Sequence, residues 1–557
     1  MSEYSRDEVN VPRLSGLPLR ALVATLETPG VGTVPDREAA HRQRAGALAR
    51  HAGRRRLADP AAAAAPDAGA GGAPGDGVAR RRPRPARACR RTRDRGSGAG
   101  LRDGETDPSA VAARLCAAVA DLDGDPTRLG VFIAHRPDEV ARDAAAATAR
   151  WREGRPRSPL DGVPIVVKDE LDVAGYPTTL GTSFRTEVAR ADAAVVARLR
   201  AAGAILLGKA NMNEIGINPI GLNPHHGPAR NPWDRGRITG GSSSGSAAAV
   251  AAGLCPISIG ADGGGSVRIP AALCGVVGLK ATFGRIPETG VPPLCWNVAH
   301  VGPLGLTVAD VAAAYAVIAG PDDGDLASLA QPPPDLARLA DDDLRGLRLG
   351  VCTPYFEDAE PDVVARCRDA VRALEARGAE VIELPAPDLN TLLWSHAVII
   401  LSEMAAAMRS ARGELSRFAL DSRTNLAFGR HFLATDLVHA MRHRQRITLE
   451  TLALLREVDV LVTPTTATTA PAIPERTLPD GESNLPVVDA LMRFVRLGNL
   501  TGLPALAVPC GLDGRGLPVS VQLLGRPYEE ALLLRAGRVI EAATPRATPR
   551  HHVRALP

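Results

Sequence analysis

One serine of this chain stands in a setting where it could act as a nucleophile on a carbonyl group. In "GADGGGSVRIPAALCG" (260–275), Ser266 follows three glycines and precedes Arg268 by two residues. Consecutive glycines let backbone amides turn towards one point, which is the geometry that an oxyanion requires. Ser266 could therefore attack a carbonyl carbon whose oxygen is bound by the neighbouring amides.

Other interpretations of this glycine-rich segment are disfavoured by its context. A phosphate-binding loop would end its glycines with Lys-Ser or Lys-Thr, whereas Ser-Val-Arg follows here. A dinucleotide-binding loop would need a strand with an acidic end about twenty residues later, and none follows the strand predicted within 254–260. A plain structural turn would require neither Ser266 nor Arg268.

A second serine cluster lies upstream, in "ITGGSSSGSAAAVAAG" (238–253). Its GSSSG segment, centred on Ser243, matches the nucleophile elbow G-x-S-x-G of α/β-hydrolases, which needs a hydrophobic strand directly before it. The preceding segment "ARNPWDRGRIT" (229–239) is polar and contains a proline. We therefore expect Ser243 to support the site rather than to act as its nucleophile.

Lysine is scarce in this chain. Of 66 lysines and arginines only three are lysines, namely Lys168, Lys209 and Lys280. Arginine keeps its proton in proteins, whereas a buried lysine can become neutral and act as a base. Lys168 ends the apolar run "GVPIVVK" (162–168), where burial would favour the neutral amine. Lys168 is therefore the candidate base, although a strong coding bias towards arginine would also explain the scarcity of lysine.

The pattern of the chain from about residue 107 onwards is that of an α/β protein. Residues 192–203 predict a helix that ends at Gly203, and "AILLG" (204–208) predicts a buried strand. "VDVLVTPT" (458–465) predicts another buried strand.

One segment predicts a complete strand–helix–strand unit. A helix over 362–378 connects the strand "LRLGVC" (347–352) to the strand "AEVIELP" (379–385), and strands connected in this way are parallel. The predicted buried face of the helix consists of Val364, Cys367, Val371 and Leu374.

The composition excludes several classes of protein. Hydrophobic residues make up 45% of the chain and aromatic residues only 3%, which predicts a core of Ala, Val and Leu. The eight cysteines include no C-x-x-C pair and no histidine cluster at metal-ligand spacing, so we expect no metal, no cofactor and no disulfide framework. The first residues are polar and no run approaches the ~18 apolar residues of a membrane span, which predicts a cytoplasmic protein.

The net charge of +4 comes from one low-complexity segment. Residues 51–100 carry a charge of +8, from 12 arginines and 4 aspartates, while the rest of the chain carries −4. Because this segment nearly lacks large apolar side chains, it cannot offset the entropy of ordering itself. It could be a solvated insert or an anion-binding tail centred on 79–95. No aromatic residue interleaves the arginines, so we do not expect nucleic-acid binding.

Three segments resemble the amidase signature family in sequence, order and spacing. Lys168 precedes Ser242 by 74 residues, and Ser242 precedes Ser266 by 24. The segments are "LDGVPIVVKDELDV" (160–173), "GGSSSGSAAAVAAG" (240–253) and "GADGGGSVRIPAALCGVVGLKATFGR" (260–285).

The resemblance implies a Ser-Ser-Lys triad. Ser266 would be the acyl nucleophile, Ser242 would relay the proton from a cis peptide unit, and Lys168 would be the neutral base. Asp262 and Arg268 would brace the loop. The oxyanion hole would be formed by the amides of Gly263, Gly264, Gly265 and Ser266.

Within this family, the plant-type fatty-acid amide hydrolases are the group that the chain resembles over about 107–545 and 11–35. The resemblance implies an α/β/α sandwich with a mixed, largely parallel central sheet. It lapses between these regions, which suggests that 36–106 is a frame-shifted or degenerate stretch. The predicted organisation is a helical cap-like segment (1–36), a low-complexity segment (37–106), an amidase domain (107–545) and a tail (546–557).

The resemblance also implies a substrate class. It predicts hydrolysis of lipid-like N-acyl amides such as N-acylethanolamines, with peripheral membrane contact and a homodimer. The acyl channel would run near Met212, Ile217 and Ile220. Two alternatives stay open, namely an amidase for small primary or aryl amides and the amidase component of a tRNA-dependent amidotransferase.

Overall fold

A computed structural model of the chain describes residues 13–27, 106–124, 128–478 and 481–554. The low-complexity segment predicted over 37–106 lies outside the described residues, save residue 106. The hypothesis of a shifted reading frame therefore stays a prediction. Apart from Glu27, the described residues belong to one compact unit.

An eleven-stranded mixed sheet forms the centre of the described chain. Two short strand pairs lie outside it, β1 (Leu14–Ser15) with β13 (Glu482–Ser483) and β5 (Arg230–Asn231) with β6 (Asp234–Ile238). The strands of the large sheet, in spatial order, are β11 (Glu380–Glu383), β10 (Arg348–Val351), β12 (Val460–Pro464), β15 (Pro518–Gly525), β14 (Ala505–Leu512), β8 (Val277–Lys280), β9 (Val301–Gly305), β7 (Ile257–Ala261), β3 (Pro164–Lys168), β4 (Ile205–Ala210) and β2 (Phe132–His135).

The α/β architecture with a mixed sheet is confirmed, but the sheet is not largely parallel. Two parallel groups, β7–β3–β4 and β11–β10–β12, lie apart, and the pairings between them and at β2 are antiparallel. The connection between β14 and β15 shows why. It consists of residues 513–517, "DGRGL", which is too short for the crossover that a parallel pair needs.

Helices cover the sheet. Strands β3, β4, β7, β8, β9 and β15 are buried at every residue, which requires packing on both of their faces. The helices of the described residues are α1 (Gly16–Glu27), α2 (Pro108–Gly124), α3 (Pro137–Arg152), α4 (Ala194–Ala201), α5 (Ser244–Ala251), α6 (Arg268–Cys274), α7 (Val308–Ile318), α8 (Thr353–Phe356), α9 (Pro361–Glu375), α10 (Leu389–Ala407), α11 (Leu420–His431), α12 (Ala434–Glu457), α13 (Leu485–Met492), α14 (Arg496–Thr501) and α15 (Glu530–Ala543), with 3₁₀ helices at Glu214–Gly216, Leu326–Ser328, Met408–Arg417 and Glu475–Thr477.

The predicted strand–helix–strand unit is confirmed. Strands β10 and β11 pair in parallel, and α9 connects them. The buried face of α9 begins at Val363, whereas Val364 is only partly buried. The helix predicted over 192–203 is α4. Gly203 follows it with φ +94°, and a Cβ there would lie 2.5 Å from Asp161 Oδ1, so the chain needs glycine at this turn.

Among the described residues, one helical segment is long and apolar enough to cross a membrane by length and composition. It spans Leu389–Arg417, that is α10 and the 3₁₀ helix after it, and 39% of its most apolar window is buried. Helix α10 packs against α11 and α12. The segment passes by its average hydropathy, whereas its longest continuous apolar stretches are 397–401 and 404–408. The expectation that no continuous run approaches ~18 apolar residues is therefore not contradicted.

Candidate active site

Two neighbouring parallel strands bring Lys168 next to the glycine-rich loop. Strand β3 ends at Lys168, and β7 ends at Ala261, directly before the loop 262–266. The two strands pair in parallel, with Val167 opposite Ile259. The carboxyl ends of parallel strands therefore meet at one edge of the sheet, where open α/β sheets bind their ligands.

Ser242 lies at the same edge, in the segment that leads into α5. The peptide bond between Gly241 and Ser242 is cis. Lys168 Nζ donates a hydrogen bond to Ser242 Oγ at 2.8 Å and a longer one to Ala261 O at 3.4 Å. The relative exposure of Lys168 is 0% and that of Ser242 is 2%. An amine and a hydroxyl held in this way can exchange a proton away from bulk water.

Ser266 lines one cavity together with Lys168 and Ser242. The cavity measures about 50 Å³, whereas ligand pockets commonly measure about 300–1,000 Å³. It therefore holds a small group unless side chains move. Much of its remaining lining is apolar and consists of Ile215, Ile217, Leu294, Cys295, Ala299, Ile400, Met404 and Met492.

The carboxylate of Asp262 shapes the glycine-rich loop. It accepts hydrogen bonds from the backbone amides of Gly265 at 2.6 Å, Val267 at 3.1 Å and Arg268 at 3.4 Å. The Gly265 amide, predicted as part of the oxyanion hole, is therefore bound by Asp262 instead. The candidate oxyanion donors are then the amides of Gly263, Gly264 and Ser266.

Two of the loop glycines are required by the space around them. Gly265 has φ +109°, and a Cβ on it would lie 2.4 Å from Val495 Cγ2. A Cβ on Gly264 would lie 2.8 Å from Met492 Cε and 2.9 Å from His396 Cε1. Any side chain at either position would displace the loop from its neighbours.

Asp262 and Arg268 form a buried ion pair beneath the loop. Arg268 Nε lies 3.0 Å from Asp262 Oδ2 and Nη2 lies 3.1 Å from Oδ1, and both side chains are fully buried. Arg268 also donates to Asn499 Oδ1 at 2.5 Å and to Gln522 Oε1 at 2.7 Å. Burial alone would raise the pKa of Asp262, but the charge of Arg268 and hydrogen bonds from Arg268 and Asn499 hold it well below its usual range.

Sequence reasoning missed four residues at this site: Glu170, His396, Asn499 and Gln522. Glu170 Oε2 lies 2.6 Å from Lys168 Nζ. Glu170 lies in the turn directly after β3, which the Leu171 amide closes by donating to the Lys168 carbonyl at 3.1 Å, so strand alternation could not have predicted this contact. Asn499 and Gln522 reach the loop from more than 200 residues away, so no local pattern could have found them.

His396 reaches the loop from α10. Its Nε2 donates to the carbonyl of Gly263 at 2.9 Å. Burial, together with the charges of Arg496 and Arg268, lowers the pKa of His396 to about 4, so the ring is neutral at neutral pH. Helix α10 thus both holds the loop and contributes Ile400 to the cavity wall.

Ser243 lies outside the cavity lining. Its Oγ donates to the carbonyl of Ala261 at 3.2 Å and accepts from the amide of the same residue at 3.3 Å, so it ties the start of α5 to β7. The strand before the GSSSG segment, β6, pairs with β5 and forms an isolated bridge from Arg237 to Ala472, and it lies outside the central sheet.

The three predicted channel residues do not share one surface. Ile217 lines the cavity. Met212 is fully buried beside Gly181, and Ile220 packs in a separate apolar cluster that includes Trp233. Of the three, only Ile217 faces the described cavity.

All three lysines are fully buried. Lys209 pairs with Asp169 at 3.2 Å and donates to the carbonyl of Leu171 at 2.7 Å. Lys280 donates to the carbonyl of Ala281 at 3.0 Å, and burial holds its pKa well below the usual value. Neither Lys209 nor Lys280 lines the cavity that holds Lys168.

Comparison with known proteins identifies the family to which this chain belongs. The family model described as Amidase matches residues 126–534. The chain belongs to this amidase family. Fatty acid amide hydrolase of Arabidopsis thaliana is 41% identical to this amidase over 452 residues, which cover 79% of this chain and 74% of the relative. A glutamyl-tRNA(Gln) amidotransferase subunit from Chloroflexus aggregans is 37% identical over 460 residues, covering 77% and 92%.

A solved structure supports the same assignment. The X-ray structure of native peptide amidase from Stenotrophomonas maltophilia matches this amidase with a TM-score of 0.71 and 28% sequence identity, over 82% of this chain and 99% of that one. The resemblance drawn from the sequence motifs is confirmed at the level of the family. This amidase is a hydrolase that acts on carbon–nitrogen amide bonds.

Two buried carboxyl groups, those of Glu214 and Asp421, hold one wall of the cavity. The segment 214–219 carries several lining residues. At its start, Glu214 Oε1 lies 2.5 Å from His225 Nε2. Further on, Asn218 Nδ2 donates to Asp421 Oδ2 at 3.2 Å. Burial and the nearby Glu214 raise the pKa of Asp421 to about 6.

The charge of Asp421 predicts a pH-dependent stability. Its pKa is raised above the ordinary value, so this group favours the folded state at low pH and loses that contribution as the pH rises through about 6. At neutral pH the charged Asp421 lowers the free energy of unfolding by about 3 kcal/mol. We expect Asp421→Asn to raise the melting temperature at about pH 8 and to leave it nearly unchanged at about pH 4. A difference in melting temperature that is equal at both pH values would contradict this prediction.

Proposed function

We propose that this amidase hydrolyses N-acyl amides of fatty acids through an acyl-enzyme on Ser266. One observation carries the chemistry: Ser266, Ser242 and Lys168 line a single cavity, together with Gly263 and Gly264 of the glycine-rich loop. The lipid-like substrate is supported by the 41% identity to fatty acid amide hydrolase of Arabidopsis thaliana over 79% of the chain and by the largely apolar lining.

The first half-reaction forms the acyl-enzyme. Ser266 Oγ attacks the amide carbon and passes its proton to Ser242 Oγ, which passes its own proton to the neutral amine of Lys168 along the 2.8 Å contact. Ser242 is short enough to serve as the bridge. A buried relay of this kind removes the proton as the new C–O bond forms, because an unassisted hydroxyl is a weak nucleophile.

The loop amides stabilise the charge that develops on the substrate oxygen. The amides of Gly263, Gly264 and Ser266 are the donors in this proposal, and the Asp262–Arg268 ion pair keeps the loop in place. Lys168 then returns the proton through Ser242 to the leaving nitrogen, and the C–N bond breaks. Water attacks the resulting ester by the same relay, which releases the fatty acid and restores Ser266.

A second candidate is hydrolysis of small primary or aryl amides, and a third is a role within a tRNA-dependent amidotransferase. The cavity of about 50 Å³ favours the small substrates, because it admits a short amide without rearrangement. The 37% identity to the glutamyl-tRNA(Gln) amidotransferase subunit from Chloroflexus aggregans supports the third. The homodimer, the peripheral membrane contact and the cytoplasmic location stay predictions of the sequence.

Hydrolysis of two substrates by the purified full chain separates these candidates. We expect kcat/KM for a long-chain N-acylethanolamine to exceed that for a short primary amide by at least about tenfold, since burying each methylene contributes about 0.8 kcal/mol. A preference for the short amide would assign the small-amide function. Absence of both activities in a folded protein would favour the amidotransferase role. Each rate is measured beside that of Ser266→Ala.

A further inference from the structure

A carboxylate lies at the lysine of the active site and has no role in the steps above. Glu170 lines the cavity that holds Ser242 and Ser266, and its Oε2 lies 2.6 Å from Lys168 Nζ. The side chain of Glu170 is 9% exposed and that of Lys168 is 1% exposed. An ion pair this deeply buried is screened little by water, so each charge acts strongly on the other.

Gly216 lies beside both contacts of the lysine. It has φ +71°, and a Cβ on it would be in ordinary van der Waals contact with Ser242 Oγ at 3.4 Å and Glu170 Oε2 at 3.8 Å. Lys168 Nζ has Ser242 Oγ at 2.8 Å and Glu170 Oε2 at 2.6 Å as simultaneous neighbours.

The carboxylate of Asp169, the chain neighbour of Glu170, is directed elsewhere. Its Oδ1 lies 3.2 Å from Lys209 Nζ, and its Oδ2 accepts from the amide of Thr179 at 3.1 Å. Among the described ion pairs, Lys168 is matched with Glu170 alone. Glu170 is therefore the charge that acts on the proposed base at contact distance.

Other titratable side chains surround Glu170. Burial, Asp325 and Glu170 together raise the pKa of Glu288 to about 8, so Glu288 is a neutral acid at neutral pH. Burial raises the pKa of the Cys295 thiol well above its usual value, with contributions from Glu170 and Glu403, so it is neutral as well. Glu288 is the one of these groups whose titration could imitate that of Lys168.

We propose, resting on the proposed function, that Glu170 is a positioning residue that holds Lys168 on Ser242 and sets the pH above which Lys168 can act as a base. The negative charge of Glu170 favours the ammonium form of Lys168. The ammonium form holds no lone pair and cannot accept the proton of Ser242. Once Lys168 loses its proton to water at higher pH, the relay from Ser266 can operate.

The test uses the rate at which a fluorophosphonate labels Ser266, because this needs no knowledge of the natural substrate. In labelling, the Ser266 O–P bond forms, the P–F bond breaks, fluoride leaves, and the serine proton enters the same relay. We expect the rate to rise with pH between about pH 5 and about pH 10, and Glu170→Gln to move the midpoint of this rise at least about one pH unit lower. Glu170→Asp, which keeps the charge, should stay closer to the wild type.

Glu288→Gln is the matched control. It removes a neighbouring carboxyl that forms none of the described ion pairs with Lys168, so the midpoint should stay in place. A midpoint that moves with Glu288→Gln but not with Glu170→Gln would overturn the proposal and identify Glu288 as the titrating group. A midpoint unchanged in both variants would overturn it too. Failure of the wild type to label at Ser266 would instead refute the proposed function.

A second measurement uses only the wild-type protein and covers the case in which Glu170→Gln does not fold. The chain holds three lysines, so a lysine-labelled sample gives three side-chain amine signals, assigned with Lys168→Arg. We expect the pH midpoint of the Lys168 signal to coincide with the midpoint of the labelling rate, since the proposal makes loss of this proton the event that enables the relay. Midpoints that differ by more than about one pH unit would overturn the proposal.

Discussion

Replacement of Ser266 by alanine is expected to lower kcat for amide hydrolysis by at least about 1,000-fold, because the variant lacks the hydroxyl that forms the acyl-enzyme in the proposed reaction. The residue is 8% exposed, and its backbone carbonyl, which accepts from the amide of Ser243 at 3.3 Å, is retained in the variant. The urea-unfolding midpoint should therefore stay near that of the wild type. Loss of activity without loss of stability is the result that assigns a chemical role.

Ser243→Ala is the matched control for this loss. Ser243 is the centre of the rival GSSSG motif, but its hydroxyl is engaged with both the carbonyl and the amide of Ala261. Its removal should lower the free energy of unfolding by about 1 kcal/mol, which is the contribution of one buried hydrogen bond. It should lower kcat by less than about tenfold. Activity that survives Ser266→Ala but is lost in Ser243→Ala would show that the nucleophile had been assigned to the wrong serine.

Replacement of Arg268 by methionine is expected to give the largest loss of stability, about 3–5 kcal/mol in the free energy of unfolding. Methionine leaves the Asp262 carboxylate buried without its partner, while the loop amides still depend on that carboxylate. Urea denaturation followed by circular dichroism measures the loss. We expect hydrolysis to fall as well, since the candidate oxyanion donors belong to the same loop.

Two comparisons separate the buried charge from a simple loss of packing. The double variant Asp262→Asn with Arg268→Met removes both charges and should recover part of the stability. Arg345→Met removes an arginine that pairs with Asp343 at 2.6 Å on the surface, where the arginine side chain is 82% exposed, and should hardly change the unfolding midpoint. Equal losses in the single and double variants would contradict the explanation by an unpaired charge.

The sequence alone determined the local elements and the motif residues of this amidase. The apolar spacing in 362–378 predicted α9, and Gly203 predicted the end of α4, because helical periodicity and a glycine turn depend on neighbours a few residues apart. The motifs around Lys168, Ser242 and Ser266 indicated the family for a similar reason. Each motif is contiguous, and only the spacing between motifs had to be added.

The direction of the strands and the neighbours of the loop were decided by the tertiary structure. The five-residue link between β14 and β15 carried a signal for an antiparallel pair, yet the position of that pair in the centre of the sheet depends on contacts with β8 and β12. Asn499 reaches Asp262 across 237 residues of chain. Such contacts leave no periodic trace, because they join segments whose sequences are unrelated.

The chemistry of individual atoms also depended on three dimensions. The sequence supplied four candidate oxyanion amides, but the fold directs the Gly265 amide to Asp262 at 2.6 Å. It supplied three candidate channel residues, of which Ile217 alone lines the cavity. Residue types and spacing thus determined which groups were available for catalysis. Only packing decided which of them face one another, because burial and hydrogen-bond direction are properties of the folded chain.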